Sequence, residues 1–131
     1  MSTPIFHMIA GLPRSVSPSS HAVEADGFIF LTGQFGRDLD APDLPLPEGI
    51  EAQTTRSLEN MRRVLGGLGL GLEHVVAMRV FLTRFKRDYA AMNATYAAFF
   101  PEGRRPSRTC IGVTDLVRDA LIEIDAIARR P

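Results

Sequence analysis

Two short runs near the end of the chain hold residue types that can hold an anion and move a proton. One is Pro106-Ser107-Arg108-Thr109-Cys110-Ile111-Gly112-Val113, the other Leu121-Ile122-Glu123-Ile124-Asp125-Ala126. Arg108 is a fixed cation, Cys110 a thiol and Glu123 a carboxylate. Both runs read as strands: short, rich in apolar residues, bounded by Pro, Gly and Asp. In a strand alternate residues share a face. Arg108, Cys110 and Gly112 therefore point one way, and Ser107, Thr109, Ile111 and Val113 the other. An arginine beside a small thiol and a glycine has space in front of it. Glu123 shares a face with Leu121, Asp125 and Ile127. The connection Thr114 to Asp119 is short, so the two strands are expected to pair as a hairpin, bringing cation and carboxylate into one sheet. The commonest use of such a pair is a structural ion pair, against which an active site has to be weighed.

Other chemistries find little support. His7, His21 and His74 are far apart in sequence, without an i, i+4 partner or a cysteine cluster, so no zinc site is expected. Ser19, Ser20 and His21 are consecutive and cannot face one another as a catalytic triad must. Arg108 could lower the pKa of Cys110, but no histidine base is placed near it, and Cys110 reads as a small pocket-wall residue. The run Gly66-Gly67-Leu68-Gly69-Leu70-Gly71 resembles a phosphate-binding glycine loop only superficially, because it follows a helical pattern instead of opening one. Ending that helix is its expected role.

The totals fit this picture. A chain of 131 residues with 45% hydrophobic and 23% charged residues is one soluble domain with a real core. Fifteen basic and fifteen acidic residues balance to a formal net charge of zero, which gives no electrostatic footprint for nucleic acid or an anionic membrane. No apolar run approaches the length of a membrane span. Met1 to Ile5 lacks the basic and apolar pattern of a secretory signal, and the single Cys110 fits a reducing cytoplasm.

The elements that must position these residues follow from periodicity. Ile5 to Ile9 reads as a first short strand, and Gly11 to Ser20 as a loop. His21 to Glu24 and Phe28 to Gln34 read as a hairpin turning at Asp26-Gly27. Phe28 to Gln34 is apolar on both faces up to Thr32, which predicts a central strand packed against another copy of the subunit. Gly36 to Gly49, with three prolines and three aspartates, is an exposed loop. Ile50, Thr54, Leu58, Met61, Leu65 and Leu68 recur at helical spacing and predict a helix over 50–68. Val75 to Leu82 is a strand, with Val76, Met78, Val80 and Leu82 on one face. Arg84 to Asp88 is a polar turn, and Tyr89 to Phe100 a second helix whose inner stripe is Tyr89, Met92, Tyr96, Phe99 and Phe100. Strands next to one another in sequence, with two helices covering one face, give an α+β domain over 1–131.

Five runs then stand in a telling order: Phe30-Leu31-Thr32-Gly33-Gln34; Glu51-Ala52-Gln53-Thr54 with Leu58-Glu59-Asn60 and Val64-Leu65; Met92-Asn93-Ala94-Thr95-Tyr96 with Phe99-Phe100; Pro106 to Cys110; and Ile122-Glu123-Ile124. Together they resemble the Rid (reactive-intermediate deaminase, YjgF-type) family over nearly the whole chain. The resemblance implies a chorismate-mutase-like α+β domain, a mixed sheet with two helices on one face. It also implies a homotrimer with sites in clefts between subunits.

The implied reaction is hydrolysis of 2-imino acids, or their enamine tautomers, to 2-keto acids and ammonia. Arg108 would hold the substrate carboxylate with its fork. Glu123 would activate a water and return the proton. Backbone near Cys110 and the hydroxyl of Thr32 would fix the substrate. No metal or organic cofactor is called for. Thr32 stands for the usual serine. In place of the family's G-P-Y-S-Q-A the chain has Ser17-Pro18-Ser19-Ser20-His21-Ala22, so Ser19 replaces a pocket-lining tyrosine and His21 a glutamine. A competing expectation is a non-catalytic trimeric module that binds a small carboxylate. RNA cleavage, attached to some family members, is opposed by the neutral charge balance.

Overall fold

The computed structural model describes residues 3–131; Met1 and Ser2, at the head of the segment read above for a signal, lie outside it. Six strands form one mixed sheet. They are β1 (Ile5–His7), β2 (Ala22–Ala25), β3 (Phe28–Phe35), β4 (Val75–Leu82), β5 (Ser107–Gly112) and β6 (Ile122–Arg129), in the order β1-β2-β3-β6-β4-β5. Helices α1 (Ile50–Gly66) and α2 (Phe85–Ala97) cover one face.

The β2–β3 hairpin turns at Asp26-Gly27 as the dipeptide predicts. Both residues have positive φ, 51° and 83°, the turn whose twist suits a two-residue hairpin. Helix α1 buries Ile50, Thr54, Leu58, Met61 and Leu65, its predicted stripe, and stops at Gly66, two residues early, with the glycine run after it. The covered face of the sheet supplies Ile29, Leu31, Met78, Val80, Leu82, Ile122 and Ile124, all buried. Each fully buried large side chain contributes roughly 1.5–3 kcal/mol relative to exposure.

The expected hairpin between β5 and β6 does not form. β5 runs parallel to β4 at the sheet edge, with α2 as the crossover that a parallel pair requires, and β6 lies between β3 and β4, antiparallel to both. Side chains explain the placement. The inward residues of β6 are Ile122, Ile124, Ala126 and Ala128, all buried, which suits a central position. Those of β5 are Arg108, Cys110 and Gly112, which build little core. β6 also extends past Ala126 to Arg129.

Three further expectations are corrected. Val76 is the extra residue of a bulge between Val75 and Ala77, so it leaves the inner face and is exposed. Arg84 to Asp88 is not a turn, because α2 begins at Phe85 and Asp88 is buried in its first turn, bound by Arg87 at 2.8 and 3.0 Å. Tyr89 is exposed and stacks on Phe85 at 4.7 Å, leaving Met92, Tyr96 and Phe100 as the buried stripe.

The face away from the helices is uncovered. Phe28, Phe30, Ile111 and Val76 are exposed large apolar residues. A hollow of about 430 Å³ opens between Phe30, Ala77, Thr109 and Ile127. Arg79 and Asp125, register partners, form a bidentate ion pair across it at 3.0 and 2.6 Å.

Candidate functional site

Register fixes where Arg108 and Glu123 stand. Arg108 pairs with Met78 and so lies on the helix side of the sheet; Glu123 pairs with Phe81 and lies on the open side. They are two strands apart and offset by three residues, about 10 Å in each direction. Within one chain the structure does not bring them together. It builds two clefts instead.

The first cleft, about 270 Å³, is lined by Asn93, Tyr96, Ala97, Arg105, Pro106 and Arg108. Helix α2 supplies its floor. The Arg108 guanidinium lies 4.8 Å over the Tyr96 ring, with Nη1 3.9 Å from the Met92 sulfur. Cation–π contact orients the fork without neutralising it. Among the described residues no carboxylate pairs with Arg108. Burial pushes the Tyr96 phenol up to about 12, although Arg108 and Arg105 oppose it, so the ring stays neutral. Burial also raises the Cys110 thiol, against the opposing pull of Arg108. A thiol so held is a poor nucleophile, and Cys110 is not among the residues that line either cleft. Among the described residues the buried side-chain oxygen of Asn93 has no hydrogen-bond partner, and it lines the same cleft as Arg108, an acceptor that the sequence showed only as a motif letter.

The second cleft, about 240 Å³, is lined by Val16, Ser17, Thr32, Gly33, Arg37 and Glu123, among others. A β-bulge creates it. Leu31 pairs with Ala126 and Gln34 with Ile124, so β3 carries one extra residue at Thr32-Gly33. The extra residue reverses the alternation in the rest of the strand, turning Gln34 inward and bringing Phe35 opposite Glu123. Thr32 donates its hydroxyl to Ser20 O at 2.5 Å, tying the bulge to the loop before β2. Gly33 lies against the Glu123 carboxylate, where any Cβ would collide with it, 3.0 Å from Cδ. Burial raises the Glu123 carboxyl above its ordinary value, and Asp125 adds to the rise. Among the described residues no cation or hydrogen-bond donor pairs with Glu123.

Ser19 is exposed, 2.9 Å from the Ser17 hydroxyl, and is not part of the wall. Val16 and Ser17 provide that wall. His21 is structural. The Ile9 N–H donates to its Nδ1 at 2.8 Å, so Nε2 carries the proton and donates to Pro13 O at 2.8 Å. Among the described residues no cluster of three His, Cys, Asp or Glu side chains is placed to hold a metal, and no helix is long and apolar enough to cross a membrane.

Residues 11–130 match the family model described as Endoribonuclease L-PSP. The RutC family protein slr0709 of Synechocystis is 38% identical over 93% of both chains. A Salmonella typhimurium protein named 2-iminobutanoate/2-iminopropanoate deaminase is 34% identical, covering 90% of this chain and 91% of its own. A crystal structure from Yersinia pestis, YyfA of the conserved Rid protein family, superposes with a TM-score of 0.86 at 29% identity, over 96% of this chain and all of that one.

Proposed function

This chain belongs to the Endoribonuclease L-PSP family, which takes in the Rid (YjgF-type) proteins, and on that premise we propose that it hydrolyses 2-imino acids to 2-keto acids and ammonia. The observation that carries the reading is the pair of unpaired charges: a free arginine fork in one cleft and a burial-raised carboxylate in the other. Each is complete only with the other. A homotrimer that sets the Arg108 cleft of one copy against the Glu123 cleft of the next makes one site from two halves. The uncovered apolar face of the sheet supports such an assembly.

In that site Arg108 holds the substrate carboxylate and fixes the imine carbon near Glu123. A water donates its proton to Glu123 as its oxygen bonds to carbon, and the C=N electron pair moves to nitrogen. The raised pKa suits this, since a more basic carboxylate takes the proton more readily and holds it for the next step. Glu123 returns it to nitrogen. Glu123 then takes the remaining hydroxyl proton as the C=O forms and passes it to nitrogen as the C–N bond breaks, so that ammonia and the keto acid depart with Glu123 ionised again. Thr32 and Ser17 line the approach. An assay of freshly generated 2-imino acids, following ammonia release, tests the reading. Glu123→Gln should lower turnover by about 10²–10⁴-fold while keto-acid binding is kept. Binding without any turnover in the parent chain would leave the non-catalytic carboxylate-binding module instead. Light scattering should give three chain masses; a monomer at micromolar concentration rules out the shared site.

A further inference from the structure

Arg37 lines the Glu123 cleft, and the reaction above does not use it. Its backbone is held firmly. Asn60, buried in α1, donates to the carbonyls of both Phe35 and Arg37 at 3.0 and 2.8 Å, and the Arg37 N–H donates to Phe35 O at 2.9 Å. The residue is only 8% exposed. Its Nη2 donates to Arg14 O at 2.9 Å, and among the described residues no carboxylate pairs with it. The neighbouring acids of its loop are turned elsewhere: Asp38 lies 3.9 Å from Arg56 and Asp40 is bound by Arg63 at 3.0 Å.

The charge that acts on Arg37 is another cation. Arg37 and Arg118 both lie over the Phe35 ring, at 5.9 and 6.0 Å. Arg118 spends its fork on Pro42 O and Leu44 O, at 2.7 and 2.8 Å, and so is fixed in place. Burial and Arg118 both push the Arg37 pKa down. A buried guanidinium with free donors, no counter-ion and a second cation nearby is expensive to maintain. Packing against Phe35 alone would be served by leucine. The bond to Arg14 O uses one donor of the fork, and the remaining donors are left for an anion that enters the cleft.

The α-carboxylate of an imino acid already has Arg108. We propose that Arg37 recognises a second carboxylate, at the end of the substrate side chain, so that the preferred substrate is a 2-imino dicarboxylate. This rests on the deaminase reading and deepens it. The balance is unchanged: ⁻OOC–(CH₂)n–C(=NH)–COO⁻ and water give ⁻OOC–(CH₂)n–C(=O)–COO⁻ and ammonia. Arg37 is a specificity-determining residue, and its donors act only on the distal carboxylate.

The test compares imines generated in place from aspartate and glutamate with those from alanine and 2-aminobutyrate. The wild-type ratio of kcat/KM should favour the dicarboxylates. Arg37→Leu, which keeps apolar volume against Phe35, should lower that ratio on the order of 10²-fold, and Arg37→Lys should recover part of it. A wild-type preference for the monocarboxylates, or an unchanged ratio in Arg37→Leu, overturns the inference and leaves the deaminase reading intact. If no imine is hydrolysed, the deaminase reading fails, and calorimetry decides the inference separately on the wild-type protein. 2-Oxoglutarate binding about tenfold or more tighter than 2-oxobutanoate supports the second anion site, and equal affinities overturn it. That comparison also serves if Arg37→Leu does not fold.

Discussion

Replacing Gly33 by alanine should cripple imine hydrolysis while leaving the fold in place. Gly33 is not among the glycines with positive φ, so its backbone accepts alanine without strain. What it does not accept is a Cβ beside Glu123, 3.0 Å from Cδ and 3.3 Å from Cγ. Carbon atoms pack best at roughly 3.5–4.0 Å, so the carboxyl has to retreat by about 0.5–1 Å. It sits at a cleft, with room to swing, so the fold loses little. A misplacement of about 1 Å in a reacting group costs on the order of 10² in rate. The assay is kcat on saturating 2-imino acid beside a thermal melt. A control separates this cause from general damage: in a Glu123→Gln background, where the base is gone, Gly33→Ala should cost less than about threefold more, since the two changes act on one group. Wild-type kcat in Gly33→Ala, or two full costs that multiply, would refute the assignment of Glu123 as the base held against Gly33.

Arg108→Ala should cost about 2–5 kcal/mol of transition-state stabilisation, as for one partner of a buried charge pair, and Arg108→Lys should recover little because the fork is lost; wild-type kcat/KM in the alanine variant removes Arg108 from the site. Because Ser19 is exposed and outside the cleft wall, Ser19→Tyr should leave the ratio of phenylalanine-derived to alanine-derived imine hydrolysis unchanged; a shift toward the smaller substrate by about 1–3 kcal/mol would show that position 19 shapes the cleft. Hydrogen bonds from Arg130 and His7 hold the Glu24 carboxyl at about 2, below its ordinary 4.5. A depressed acid stabilises the fold above its unfolded value and loses that contribution as pH falls toward its folded one. Between pH 5 and 2.5 the melting temperature of the parent should therefore fall more steeply than that of Glu24→Gln; parallel curves would show that the cluster contributes nothing.

Much of the fold was legible because alternation and helical spacing are properties of single segments. The β2–β3 hairpin, β4 and the buried stripe of α1 follow from residues close to one another in sequence. Strand order is different. Nearness in sequence favoured pairing β5 with β6, yet the small apolar inner residues of β6 suit the middle of the sheet and Arg108 and Cys110 suit its edge. Comparing the inner faces of the two runs as core formers was the signal that could have separated them. The start of α2 was hidden by the charges of Arg84 to Asp88, although an acid at that point is itself a helix-start signal. Neither bulge had a usable signature: Val76 is one apolar residue among several, and Gly33 one glycine in an apolar strand. Arg37 was invisible for a plainer reason. An arginine in a loop of prolines and aspartates reads as solvated, yet its side chain lies over Phe35 and donates to Arg14 O, while Asn60 of α1 holds its backbone.

The candidate residues were chosen by type, but their spatial relation was not legible. Period-2 geometry puts Arg108 on one face once β5 is parallel to β4, and Glu123 on the other once β6 is antiparallel to β4. No change of rotamer carries a side chain through a sheet. A single chain therefore presents an arginine fork in one cleft and a carboxylate in the other, and among the described residues neither has an ionic partner, which carries a cost in solvation. The ion-pair reading of Arg108 and Glu123 fails on the same geometry that defeats a one-chain active site. A second copy that brings its Arg108 cleft to the Glu123 cleft relieves both costs when an anionic imine lies between them. Catalysis and assembly would then depend on the same contact between copies.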